Sequence, residues 1–165
     1  MMIDDSNAVG LLVRLTPWLN KFAPHIGAPV TLEKFSVGQS NPTYELATTQ
    51  GCYVVRTQPS GALLKSAHAV DREFKVMAAL RNSAVPVPEM IAICDESDII
   101  GRKFFVMEKI DGVTVFDPTL AAYAAPDRAQ LYRHQVDILA ALAELDPAAI
   151  GLADFGRPAG YLDRQ

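Results

Sequence analysis

Thr43-Tyr44-Glu45-Leu46-Ala47-Thr48-Thr49-Gln50-Gly51-Cys52-Tyr53-Val54-Val55-Arg56-Thr57 decides how the chain is read. Two runs rich in β-branched and aromatic residues flank Thr49-Gln50-Gly51, which predicts strands over 43–48 and 52–57 joined by a turn. Upstream, Val30 to Phe35 predicts another strand, linked by the polar run Ser36-Val37-Gly38-Gln39-Ser40-Asn41-Pro42. The three strands form an antiparallel meander. Downstream, Gln58-Pro59-Ser60-Gly61 breaks the pattern, and apolar spacing at Val70, Phe74 and Met77 predicts a helix from about Ala67 to Arg81, with Ser66 as N-cap. Pro86 and Pro88 mark extended chain; Met90 to Cys94 and Lys103 to Glu108 predict two more strands. Asp111-Gly112 signals a turn. Asp127 is placed to cap a helix running to Leu145, with Leu131, Ile138, Leu139, Leu142 and Leu145 on one face. At the other end, Ala8 to Phe22 has helical spacing that Pro17 kinks or divides. The expected fold is α+β: a five-stranded antiparallel sheet with one packed helix, then the first helix of something else. This divides the chain into a helical segment at 1–28, a sheet region at 29–110 and a helical region at 111–165.

The chain has 165 residues and a formal net charge of −4. That length buries a real core, and net acidity without a basic stripe argues against coating nucleic acid. Cys52 and Cys94 are too few for a disulfide framework or a thiolate metal site; both read as buried thiols in strand-like surroundings. His25, His68 and His134 lack metal-ligand spacing, so no metal site is expected. No apolar run approaches the roughly 20 residues of a membrane helix, and the start is acidic where a targeting peptide is basic. A cytoplasmic location without membrane contact is expected.

Three features carry chemistry. Gly38-Gln39-Ser40-Asn41, between two strands, lets backbone N–H groups approach an anion such as a phosphate. Alone it reads better as an ordinary hairpin turn. Glu73 lies three residues after Val70 and four before Met77, on the apolar face of its helix. A carboxylate there is costly unless paired, and Arg56, closing the run Tyr53-Val54-Val55, is the natural partner. The alternative is an exposed Glu73 beside Arg72 on a slightly rotated helix. Last, Phe104-Phe105-Val106-Met107-Glu108-Lys109-Ile110-Asp111-Gly112 is an apolar strand entering a turn: either a plain buried strand or the hinge of a nucleotide site.

These motifs together, with Pro59-Ser60-Gly61, Ala67-His68-Ala69-Val70-Asp71-Arg72-Glu73-Phe74, Val85-Pro86-Val87-Pro88 and the tail from Ile150 to Gln165, resemble the aminoglycoside phosphotransferase and choline-kinase-like superfamily. The branch is one also found fused to acyl-CoA dehydrogenase domains, and the resemblance runs from Phe35 onward. It implies a protein-kinase-like N-lobe followed by the start of a mainly helical C-lobe. It implies Gly38, Ser40 and Asn41 in a phosphate-covering loop, Arg56 as the phosphate-contacting cation with Glu73 as its partner, and Met107, Glu108 and Ile110 in the adenine-contacting hinge. Many relatives carry lysine where Arg56 stands; arginine cannot be deprotonated and binds bidentately, so the two are not interchangeable.

The resemblance further implies ATP, Mg²⁺ in the full-length parent, and a hydroxylated small-molecule acceptor, of acyl or acyl-CoA type by analogy with the fusion branch. Asp154-Phe155-Gly156 matches a protein-kinase metal motif in letters only, since His134-Gln135-Val136-Asp137 upstream lacks the required downstream asparagine. The superfamily's His-Gly-Asp loop, with its later asparagine and aspartate, does not occur in the chain. No catalytic residue or metal ligand is therefore assigned, the chain is expected to be truncated and inactive alone, and the apolar face of its last helix is expected to self-associate or take a partner. The rival reading is a non-catalytic, kinase-derived module that binds a nucleotide or another protein.

Overall fold

The computed structural model describes residues 8–36, 41–59, 69–96 and 98–156. The chain divides into two compact units, one of Met1–Ala78 and Pro88–Ile110, the other of Ala79–Val87 and Asp111–Gln165.

The first unit is built on strands β1 (Pro29–Lys34), β2 (Thr43–Thr48), β3 (Gly51–Thr57), β4 (Met90–Cys94) and β5 (Phe104–Glu108), with helices α1 (Ala8–Phe22) and α2 (Val70–Leu80). All pairings are antiparallel and the order is β1-β2-β3-β5-β4, so the last strand inserts beside β3 and leaves β4 at the edge. Gly51 belongs to β3 rather than to the turn: it pairs with Thr48, and the connection is only Thr49-Gln50. The Thr48 hydroxyl secures this tight turn, accepting from the Gln50 N–H at 3.1 Å, with its single proton shared between the Ile26 carbonyl at 2.5 Å and the Gly51 carbonyl at 3.0 Å.

Alternation along the strands sorts side chains onto two faces. Leu32, Tyr44, Leu46, Val55, Phe104 and Val106 form one continuous core with Leu11, Leu15, Trp18 and Leu19 of α1. Trp18 meets Phe104 edge-on with centroids 4.8 Å apart. Phe105, the next residue, faces the other way and meets Phe74 of α2 at 5.9 Å. The two helices therefore cover opposite faces, a layer more than the single packed helix expected. Pro17 neither divides nor ends α1, which is continuous across it. The carbonyl that Pro17 leaves without an i→i−4 donor belongs to Val13, an exposed residue, where water can supply the bond.

The passage from α1 into β1 depends on Gly27, whose φ of 82° and ψ of −176° lie in a region that only glycine adopts readily. A Cβ there would overlap the Thr49 hydroxyl and sit 2.7 Å from Gln50 Cγ. This close approach lets Ala28 and Thr49 exchange two hydrogen bonds, each 3.0 Å, between the start of β1 and the β2–β3 turn.

In α2, Val70 and Leu80 are buried and Phe74 and Met77 half-buried, while Arg81 is exposed. The expected cap Ser66 lies outside the described residues. Cys94 is buried, but Cys52 is exposed, contrary to expectation, because it follows Gly51 at the turn end of the hairpin.

In the second unit, α3 spans Ala125–Ala143. Its N-cap is Ala124, not Asp127, which falls in the first turn; Pro126 suits that turn because its missing N–H would have no helical acceptor there. None of the residues of α3 is buried, and Ile138, Leu139 and Leu142 are exposed. Among the described residues, no helix is long and apolar enough to cross a membrane.

Candidate functional site

With Val55 committed to the core beneath α1, the next residue, Arg56, turns to the α2 face. Register places Thr43 on one side of it and Phe105 on the other. Phe74 packing on Phe105 anchors α2 over this row, and Glu73 beside it reaches the guanidinium. Arg56 Nε donates to Glu73 Oε2 at 2.6 Å, and Nη2 reaches Oε1 at 3.5 Å. Arg56 Nη1 donates to the Thr43 hydroxyl at 3.0 Å, and that hydroxyl donates to the Asn41 carbonyl at 3.0 Å. The Asn41 side-chain amide closes the ring, donating to Glu73 Oε1 at 2.7 Å. Asn41 is 3% exposed, whereas the Arg56 and Glu73 side chains retain 28% and 35% exposure. The pairing expected of Arg56 and Glu73 is thus present, and a rotated helix with a free Glu73 is not.

A guanidinium carries five N–H donors. Among the described residues Arg56 uses three toward Glu73 and Thr43, which leaves two that could meet an anion. Paired with Glu73, the cation contributes directed bonds more than net charge.

The other expected contacts are distributed along β5. Met107 lies in the row of Val54 and Glu45, on the Arg56 face and half-buried. Glu108 alternates to the opposite face and is tied to Glu89, its N–H donating to the Glu89 carbonyl at 2.8 Å and its carboxylate accepting the Glu89 N–H at 3.0 Å. Ile110 lies past the strand and is exposed. Lys109 forms an ion pair with Glu45 at 2.9 Å, on the same face as Arg56. Gly38 and Ser40 lie outside the described residues.

Thr43 and the amide of Asn41 were not singled out as partners of the ion pair. A signal for Thr43 existed: once the β2–β3 turn is two residues long, register sets it opposite Arg56. The Asn41–Glu73 bond joins residues 32 apart and has no local signature.

A second network fixes the start of α2. Lys103 Nζ lies 2.9 Å from Asp71 Oδ2 and 3.2 Å from Asp95 Oδ1, and its backbone pairs with Gln58. The Lys103 hydrogen bond holds the Asp71 carboxyl below its usual range, and the same bond raises the Lys103 ammonium. Because the folded value of Asp71 is depressed, its stabilisation is complete above the ordinary carboxylate value of about 3.9 and is lost as pH falls through the folded value. Both side chains keep a third or more of their surface, so the contribution is at most about 1 kcal/mol. Urea unfolding of wild type and Asp71→Asn should show a stability gap at pH 7 that closes well below pH 4. An equal gap at both pH values would contradict this origin.

Comparison with known proteins follows the same lines. Residues 31–165 match the sequence model of the phosphotransferase enzyme family. The chain is similar to acyl-CoA dehydrogenase family member 10 of Mus musculus, 40% identical over 141 residues, covering 86% of this chain and 13% of that protein. It is 39% identical to acyl-CoA dehydrogenase family member 11 of Rattus norvegicus over 155 residues, covering 92% of this chain and 20% of that one. It therefore spans a fifth or less of these relatives. A crystal structure of a candidate aminoglycoside phosphotransferase from Ralstonia eutropha JMP134 superposes with a TM-score of 0.80 at 35% identity, over 92% of this chain and 44% of that one.

Proposed function

The chain belongs to the phosphotransferase enzyme family, and from that membership we propose that it forms the nucleotide-binding part of a small-molecule kinase transferring the γ-phosphoryl group of ATP to a hydroxyl. The observation that carries the reading is the partly exposed Arg56–Glu73 ion pair on the α2 face, where two guanidinium N–H groups have no partner among the described residues. Arg56 contacts the nucleotide phosphates and Glu73 keeps its plane oriented. Asn41 stands on the phosphate side, and Met107 and Ile110 lie toward the adenine end, from which the Glu108 side chain is turned away to Glu89. Phosphoryl transfer rests on positioning and charge stabilisation rather than covalent chemistry by the protein, so a rigid, directed cation is what this part of a site contributes.

Mg²⁺ would neutralise phosphate charge in such a reaction. Among the described residues there is no group of three or more His, Cys, Asp or Glu that could hold it; its ligands are not assigned in this chain, and no step is routed through it. The His-Gly-Asp loop is likewise absent from the sequence, and the chain by itself is proposed to bind nucleotide without turnover. The names of the similar proteins favour a hydroxylated acyl group or acyl-CoA as acceptor, and a cytoplasmic location accords with such a substrate.

The test uses the full natural protein, titrated with ADP and assayed for ATP consumption with hydroxyacyl-CoA acceptors and with an aminoglycoside. Saturable ADP binding and acceptor-dependent ATP consumption are expected with the former. Binding without turnover for any acceptor leaves the non-catalytic module; the absence of ADP binding overturns the proposal entirely.

A further inference from the structure

Arg56 and Glu73 do not form the symmetrical fork of which an arginine and a carboxylate are capable. One bond is short, Nε to Oε2 at 2.6 Å, while Nη2 stands 3.5 Å from Oε1, beyond the usual length of a charge-assisted bond. The oxygen that Nη2 fails to engage closely is the one that accepts the Asn41 amide at 2.7 Å. A carboxylate only accepts, so it is the NH₂ of Asn41 that faces it. Asn41 is itself fixed: it is 3% exposed, its carbonyl accepts from the Thr43 hydroxyl, and the next carbonyl, that of Pro42, accepts from the Thr57 N–H at 2.9 Å.

We propose that Asn41 is a positioning residue for the nucleotide site: by holding Oε1 of Glu73 at 2.7 Å it sets the angle of the carboxylate and with it the plane of Arg56, so that the guanidinium hydrogens not used by Glu73 and Thr43 are aimed at a phosphate. The inference rests on the nucleotide-binding reading above and deepens it. Asn41 acts through Glu73 rather than by touching the ligand. Its removal frees the carboxylate to rotate, which turns the guanidinium plane with it and weakens the grip on phosphate.

Substitution of Asn41 by aspartate separates this role from a structural one. Among the described residues, the charged groups at position 41 are Glu73, which accepts its amide, and Arg56, which is bound to Glu73; Glu45, on the same sheet face as Arg56, is paired with Lys109. At pH 8 the introduced carboxylate opposes Glu73 and cannot donate. At lower pH the introduced carboxyl takes up a proton, and the protonated form restores a donor to Oε1.

In the full natural protein, the ratio of Asn41→Asp to wild-type ADP affinity should be about tenfold unfavourable at pH 8. It should move toward unity as the pH is lowered, with both proteins measured at each pH so that ligand titration cancels. As a second line, Asn41→Ala should weaken ADP binding about tenfold in the wild-type background and have no further effect in Glu73→Gln. A pH-independent ratio, or Asn41→Ala and Glu73→Gln effects that multiply, overturns the assignment; should Asn41→Asp fail to fold, the alanine cycle alone decides. If Arg56→Ala leaves ADP affinity unchanged, the nucleotide reading fails and this inference with it. If Arg56→Ala abolishes binding while the Asn41 results go the wrong way, only the inference fails.

Discussion

Arg56→Ala is expected to weaken ADP binding by roughly 10- to 100-fold while leaving the fold intact. Hydrogen bonds to charged groups contribute about 1.5–3 kcal/mol each, and each 1.4 kcal/mol is about tenfold in affinity. The stability cost is smaller. Glu73, relieved of Arg56, keeps the Asn41 amide and is 35% exposed, so water replaces the missing donor and the loss stays at or below about 1 kcal/mol. Arg56→Lys should fall between wild type and alanine, since an ammonium keeps the charge but cannot direct Nε at Glu73 and Nη1 at Thr43 together. Titration of ADP by calorimetry, with circular dichroism as a check on folding, measures both effects. Undiminished affinity in a folded Arg56→Ala protein would remove Arg56 from the site and with it the observation on which the functional proposal rests.

Phe104→Ala should produce the largest loss of stability, about 3–5 kcal/mol for truncating a fully buried phenylalanine. Phe104 has no exposed surface and lies where α1 meets the sheet, so its ring serves both the strand and the helix. Its edge-on contact with Trp18, at 4.8 Å and an interplanar angle of 70°, adds about 0.5–1.5 kcal/mol beyond area burial. The midpoint of thermal unfolding should fall by on the order of 10 °C or more. Trp18 is the only tryptophan in the chain, so its emission in the folded state should shift to the red as the packing around the indole loosens. A stability loss below about 1 kcal/mol, or unaltered Trp18 emission, would mean that α1 does not depend on this contact. Phe105→Ala gives the converse comparison: its ring lies under Phe74 of α2, so ADP affinity should suffer there more than at position 104.

The sequence by itself determined a good deal of this. β2 begins and ends where its apolar alternation does, and β4 where its continuous apolar run does, because both patterns are local and bounded by polar or turn residues. The pairing of Glu73 with Arg56 was legible from one argument, that a carboxylate on an apolar helix face needs a cation, together with an order of motifs that left few partners. The absence of a His-Gly-Asp stretch is a property of the sequence alone.

Other features were decided only by tertiary structure. A period of two places alternate residues on opposite faces but does not say which strands become neighbours; β5 beside β3 required α2 and β4 to return across the sheet. Nor does it say what covers each face, and α1 proved to share the core with Tyr44 and Phe104. Proline in a helix predicts a lost hydrogen bond, but whether that breaks the helix depends on whether the orphaned carbonyl faces water, as the exposure of Val13 indicates. The turn after β2 differed by one residue, and that residue sets which side chain stands opposite Arg56. The Asn41 bond to Glu73 joins a loop to a helix across 32 positions. Such contacts arise from packing between distant segments, and local pattern carries no record of them.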